Sequence, residues 1–171
     1  MSSLVQVDRA VGHRAQRQAP RQREAASGVV LPAQRTARPR TAADVMTRFP
    51  VTVHRSASMW TAWDRLRTTG SRHVVVVDDH QRPVGVLDER TLALEWPPGP
   101  MAAHRTPAHS LLRGASRPRV LGADEVTAVA RTMLGAGVDA VPVVDRNGRL
   151  YGLVTLWHFA DLVAARPTGE E

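Results

Sequence analysis

The stretch Gly137-Val138-Asp139-Ala140-Val141-Pro142-Val143-Val144-Asp145-Arg146-Asn147-Gly148-Arg149-Leu150-Tyr151-Gly152-Leu153-Val154-Thr155 decides the fold. It reads as a glycine, a buried strand, a polar turn and a second strand. Val141-Pro142-Val143-Val144 carries no charge and is almost wholly β-branched, as a strand covered on both faces requires. Asn147-Gly148 is a strong hairpin signal, because both residues accept the left-handed backbone of a tight reversal. Leu150 to Val154 then returns as a second apolar strand.

The same pattern stands earlier in the chain. An offset of 67 residues aligns 44–93 with 111–160 without a gap, and nine positions are identical. Seven of them cluster: Gly70/Gly137, Val74/Val141, Val76/Val143, Val77/Val144, Asp78/Asp145, Arg82/Arg149 and Gly85/Gly152. Working outward, each copy opens on a short extended piece, Val51-Thr52-Val53 or Arg119-Val120-Leu121. A helix follows. Met59, Ala62, Trp63 and Leu66 in one copy, and Val126, Val129, Ala130 and Met133 in the other, share the i, i+3, i+4, i+7 spacing of an apolar helix face. Ser56 or Ser58 is expected to cap the first helix and Asp124 the second. Gly70 and Gly137 suit left-handed C-caps. A closing helix is expected over about 88–95 and 155–165.

Each copy has about 50 residues, too few for an independent core. The copies should therefore pack sheet to sheet as a pseudo-two-fold pair of β-α-β-β-α units, an α/β (α+β) fold. The expected organisation is an arm over 1–40, repeat 1 over 41–95, a connector over 96–110, repeat 2 over 111–165 and a tail over 166–171. Trp96-Pro97-Pro98-Gly99-Pro100 forbids a helix running on into the connector.

The 171 residues include no cysteine and no lysine, and all 23 basic residues are arginine. A disulfide frame, a thiolate nucleophile, a Cys-bearing zinc site, a Schiff-base lysine and a P-loop lysine are thereby excluded. The formal net charge of +7 is unevenly spread. Residues 1–40 hold Arg9, Arg14, Arg17, Arg21, Arg23, Arg35, Arg38 and Arg40 against Asp8 and Glu24, a net +6 that leaves +1 for the rest. The arm lacks aromatic residues and has little apolar periodicity, so it is expected to be disordered. It reads first as a solvated leader, and second as an anion-binding arm for nucleic acid. No secretory signal and no membrane span is expected, which points to the cytoplasm.

This β-α-β-β-α repeat resembles the CBS domain pair (cystathionine β-synthase domain, or Bateman module). Asp44-Val45-Met46 followed by Pro50-Val51-Thr52-Val53 is similar to the family's entry segment. Gly137 to Asp145 is similar to its glycine-to-strand segment, and Asn147 to Thr155 to its turn and second strand. The resemblance covers about 44–165. It implies regulation rather than catalysis, with no required cofactor. It implies an adenine nucleotide or S-adenosylmethionine held between the copies, a homodimer of pairs and an altered partner protein.

The family's binding motif is Gly–apolar–apolar–Thr/Ser–x–x–Asp, whose hydroxyl meets phosphate and whose carboxylate takes both ribose hydroxyls. In repeat 1, Asp88 stands where Thr is expected and Thr91 where Asp is expected; Asp88 would repel a phosphate. In repeat 2, Thr155 matches and His158 stands in place of Asp. The resemblance adds Thr52, Val53, Val120 and Pro142 as cleft residues, and Arg90 reads either as a phosphate contact or as a solvated helix-face residue. The competing expectation is a cleft filled by side chains, with Trp157 or Phe159 in the core. Three functions follow: an adenine-nucleotide sensor, a ligand-free interaction module and a polyanion binder using the arm.

Other constellations read as structure. His104 and His109 flank Thr106-Pro107 without a recurrent metal-ligand spacing, and with His73 and His80 they read as surface or linker histidines. Asp78-Asp79 reads as a polar turn. Trp63 falls on the apolar stripe, whereas Trp60 is open to either core or interface.

Overall fold

The structure, a computed structural model, describes residues 40–99, 101–112, 114 and 117–164. The elements run α1 (Ala42–Val45), β1 (Thr47–Arg48), β2 (Thr52–His54), α2 (Met59–Thr69), β3 (His73–Val77), β4 (Pro83–Asp88) and α3 (Glu89–Leu94). They continue with α4 (Ala102–Arg105), a 3-10 turn (Ala108–Leu112), β5 (Val120–Leu121), α5 (Val126–Ala136), β6 (Ala140–Val144), β7 (Leu150–Thr155) and α6 (Leu156–Ala164). The fold is the expected mixed α+β pair, and the expected arm over 1–40 and tail over 166–171 lie almost entirely outside the described residues.

The two repeats build matching sheets. β2 runs parallel to β3, and β3 pairs antiparallel with β4 through Val76↔Gly85. β5 runs parallel to β6, and β6 pairs antiparallel with β7 through Val143↔Gly152. Even the irregularities match, with register shifts at Val76/Val77 and at Val143/Val144. The turns repeat too. Asp78 Oδ1 accepts the N–H groups of His80 and Arg82 at 2.9 and 2.8 Å. Asp145 Oδ1 accepts those of Asn147 and Arg149 at 2.8 and 2.9 Å.

The valine runs show why such strands carry no polar face. Val74 and Val76 enter the first core with Met59, Ala62 and Leu66 of α2. Val75 and Val77 point the other way and meet Ala140 of β6 and Leu153 of β7 in a third cluster between the sheets. Side chains alternate across a strand, so one run supplies both a helix-facing and a sheet-facing layer. Each fully buried valine or leucine contributes about 1.5–3 kcal/mol.

Helix ends follow the sequence signals with one exception. Ser58 Oγ accepts the Thr61 N–H at 3.1 Å and caps α2. Gly70 and Gly137 close α2 and α5 with φ of 65° and 66°. Asp124 does not cap α5. Its carboxylate accepts the Leu121 N–H at 2.8 Å and is committed to the turn leaving β5. The helix instead begins at Glu125, without a side-chain cap, and the Val126 N–H donates to the Arg40 carbonyl at 2.9 Å.

Each core is completed by a segment from the other half of the sequence. The connector is folded, and Ala108 within it and Leu112 just after it are buried in the first core. It is stitched there by the Met59 N–H donating to Thr106 O and the Ala108 N–H donating to Ala57 O, both at 2.7 Å. Ala42 and Met46, at the start of repeat 1, are buried in the second core, and β1 pairs with β7 through Thr47↔Leu153. Trp96 joins Trp60 and Trp63 in edge-on ring contacts at 6.0 and 5.6 Å. Trp63 packs against the first core, while Trp60 is 41% exposed.

Candidate ligand cleft between the repeats

The end of β4 and the approach to β6 frame a cleft of about 350 Å³, within the size range of small-molecule sites. His73, Asp88 and Thr91 of repeat 1 face Arg117, Asp139 and Pro142 of the second half across it. A recess of about 160 Å³ adjoins it, lined by Pro83, Val84, Gly85, Arg117, Pro118, Arg119 and Pro142.

The strand register places these groups. His73 opens β3 opposite Asp88, the last residue of β4. The His73 ring is buried, and its Nε2 lies 3.2 Å from Oδ1 of the half-exposed Asp139, so this pair ties the repeats together across the cleft. Asp88 is the N-cap of α3, and its Oδ1 accepts the Thr91 N–H in a short hydrogen bond. Arg117 directs Nη2 to the Leu112 carbonyl at 2.9 Å.

Repeat 2 solves the same helix start in the opposite sense. Here the residue three places on supplies the acceptor: His158 Nδ1 accepts the Thr155 N–H at 2.9 Å. Accepting that proton requires the Nδ1 lone pair, so Nε2 carries the hydrogen and donates to Thr47 Oγ1 at 3.1 Å. Burial pushes the His158 pKa down, against the pull of Asp161, and keeps the ring neutral. The Thr155 hydroxyl also lies 3.1 Å from Nδ1.

Of the residues singled out from the sequence, the structure brings Asp88, Thr91 and Pro142 together in the cleft. Thr155 and His158 bond to each other at the β7–α6 junction, with β1 laid alongside. Thr52 lines a separate groove of about 370 Å³ with Arg48, Phe49 and Tyr151. Val53 and Val120 are core residues, and Arg90 is exposed on α3. Phe159 packs on the second core, while Trp157 is 59% exposed with the Arg72 guanidinium over its ring.

Sequence reasoning missed His73, Asp139 and Arg117 as cleft residues. His73 is buried, which corrects its reading as a surface histidine. The signal was a lone imidazole heading an otherwise all-valine run. Among the described residues no group of three or more His, Asp or Glu side chains is arranged to hold a metal ion. No helix among them is long and apolar enough to cross a membrane.

Comparison with known proteins agrees with this architecture. The CBS domain family model matches residues 42–95 and 120–165. A curated relative, the uncharacterized protein MK0525 of Methanopyrus kandleri, is 27% identical over 95 residues; the match covers 54% of this chain and 46% of the relative. The chain thus spans about half the length of that relative. Among solved structures, the CBS domain pair of protein MJ0100 in complex with 5′-methylthioadenosine and S-adenosyl-L-methionine superposes with a TM-score of 0.62 at 23% identity, covering 74% of this chain and 98% of that one. The CBS domain protein TA0289 of Thermoplasma acidophilum gives 0.62 at 25% identity, covering 72% and 69%. The cytosolic domain of the Mg²⁺ channel MgtE in complex with ATP gives 0.58 at 27% identity, covering 72% and 48%. With both repeats matched and the paired sheets in place, the chain belongs to the CBS domain family.

Proposed function

We propose that the chain is a regulatory module that binds an adenine-bearing small molecule in the cleft between its repeats and alters a partner protein. The observation that carries this reading is the cleft itself, walled by both repeats and spanned by His73 and Asp139. A ligand there touches both halves. It therefore favours one relative arrangement of the repeats, provided its contacts differ between arrangements. Val86 and Pro142 offer apolar surface for a base, and the Thr91 hydroxyl offers a hydrogen bond to a ribose. The complex of the MgtE cytosolic domain with ATP supports the ligand class. The module works by binding, without chemistry of its own, as a homodimer in the cytoplasm. Its signal passes to a separate protein.

Isothermal calorimetry and thermal shift on the full chain test this. The ligands are adenosine, 5′-methylthioadenosine, S-adenosylmethionine, AMP, ADP and ATP. Saturable heat and a raised Tm with at least one of them are expected. Flat responses to all six at millimolar concentration overturn the adenine reading.

A further inference from the structure

We infer that Ser56 is an activated nucleophile, served by a Ser56–His54–Asp79 hydrogen-bond relay on the surface of repeat 1, and that it accepts an acyl group from an activated ester or acyl phosphate. These three residues lie outside the lining of the cleft, and the binding function above does not depend on them.

The first sheet and its turns assemble the relay. His54 ends β2 opposite Val77 of β3, and Asp79 follows Val77 by two residues into the β3–β4 turn. The Arg55 N–H donates to the Val77 carbonyl and the Ala57 N–H to the His54 carbonyl, both at 2.8 Å, so the chain reverses beyond His54 and returns Ser56 to its ring. His54 Nδ1 lies 2.7 Å from Ser56 Oγ and 3.3 Å from the Ser56 backbone nitrogen. His54 Nε2 lies 3.0 Å from Asp79 Oδ1.

The backbone N–H fixes the direction of proton flow. It can only donate, so Nδ1 presents its lone pair and the ring hydrogen sits on Nε2. Nε2 then donates to the Asp79 carboxylate, and the Ser56 hydroxyl donates to Nδ1. Serine, imidazole and carboxylate stand in the order that general-base activation of a hydroxyl requires, with both contacts within hydrogen-bond reach. The two ring nitrogens are exchanged relative to the serine-protease arrangement, which leaves the transfer intact because either nitrogen can take the proton. The His54 and Asp79 side chains are 42% and 78% exposed, so an acyl donor reaches the site from solvent.

In the transfer, Ser56 Oγ attacks the carbonyl carbon of the donor. The Oγ–C bond forms, and the bond from that carbon to its leaving oxygen breaks with its electron pair on the oxygen. The hydroxyl proton passes to His54 Nδ1, and the imidazolium, held by Asp79, gives it to the leaving oxygen. Asp79 acts through His54 and is a positioning residue.

Treatment of the full chain with p-nitrophenyl acetate, followed by peptide mass mapping, tests this. The chain has no lysine and no cysteine, so no amine or thiol side chain competes for the acetyl group. A positioned general base contributes about 10²–10⁴-fold, and an exposed one the lower part of that range. Ser56 is therefore expected to acetylate at least about tenfold faster than any other serine of the chain. His54→Gly should remove that advantage, and free imidazole should restore it. Asp79→Asn should slow acetylation of Ser56, and Asp79→Glu should retain most of the rate. All three positions are exposed, and circular dichroism checks that each variant stays folded. Even labelling across the serines, no labelling of Ser56, or a rate unchanged in His54→Gly overturns the inference. A rate unchanged in Asp79→Asn overturns the relay through Asp79.

Discussion

Gly85→Ala and Leu112→Ala should each destabilise the chain, and together they should cost clearly less than their sum. Gly85 is buried in β4 opposite Val76, and its backbone lies outside the positive-φ region, so alanine is allowed there. A Cβ at this position would lie 2.7 and 2.8 Å from the two methyl carbons of Leu112. Contacting carbons sit at about 3.5–4.0 Å, so the leucine must retreat by about 1 Å. Overpacking of this kind costs about 1–3 kcal/mol, against a gain of about 0.5–1 kcal/mol for replacing glycine in a strand. Leu112 is 2% exposed, and its truncation to alanine should cost about 2–5 kcal/mol. In the double variant the new methyl enters the space that Leu112 leaves. We expect a favourable coupling of about 1–2 kcal/mol. Urea unfolding followed by tryptophan fluorescence and circular dichroism measures it, with a common slope checking that the denatured state is unchanged. Costs that add to within about 0.5 kcal/mol, or a Gly85→Ala variant more stable than wild type, would refute the packing account.

Four further perturbations have defined outcomes. Because the native His158 pKa lies below the ordinary 6.5, the unfolded chain binds the extra proton and stability falls as pH drops below about 6.5. His158→Gln should therefore flatten the decline in urea midpoint between about pH 7 and about pH 5; parallel curves would contradict the neutral-ring assignment. Asp145→Ala removes both turn hydrogen bonds and should cost about 1–2 kcal/mol. At the matching position, the Arg82 N–H chiefly holds the Asp78 pKa below its usual value. That contribution is present above the carboxylate range and is lost in acid, so Asp78→Asn should show a shallower acid-side decline in Tm. Ser58→Ala deletes the α2 cap and should cost about 1 kcal/mol, read as a lowered midpoint at constant slope.

The repeat architecture was legible because its signals are local. The valine runs, Gly70, Gly137 and the Asn-Gly turn each fix backbone geometry within a few residues. Capping was less legible at Asp124, where two nearby N–H groups compete for one carboxylate and the turn at Leu121 wins. The fold of the connector was hidden because its apolar residues are few. Ala103, Ala108 and Leu112 are buried only once a distant core is there to receive them. The cleft was half legible: resemblance located Asp88 and Thr91 by motif position. That His73 and Asp139 face each other depends on how two sheets pack, and the His73–Asp139 contact spans 66 residues of sequence. Nor does any sequence pattern reveal that His158 caps from the third position of its helix while Asp88 caps from the start.

The exchange of closing segments between the halves sets an order of events during synthesis. The second core needs Ala42 and Met46, yet its strands at 140–155 leave the ribosome about a hundred residues later. Thr47 must wait for Leu153 before β1 has an edge to join. Such long-range pairing raises contact order and slows folding. The first core can close once Leu112 has emerged, whereas the second core and the layer between the sheets wait for β7, so nascent chains should acquire protease resistance in two steps, the second one late. The same interlock means that a molecule held at the proposed cleft would stabilise both halves together.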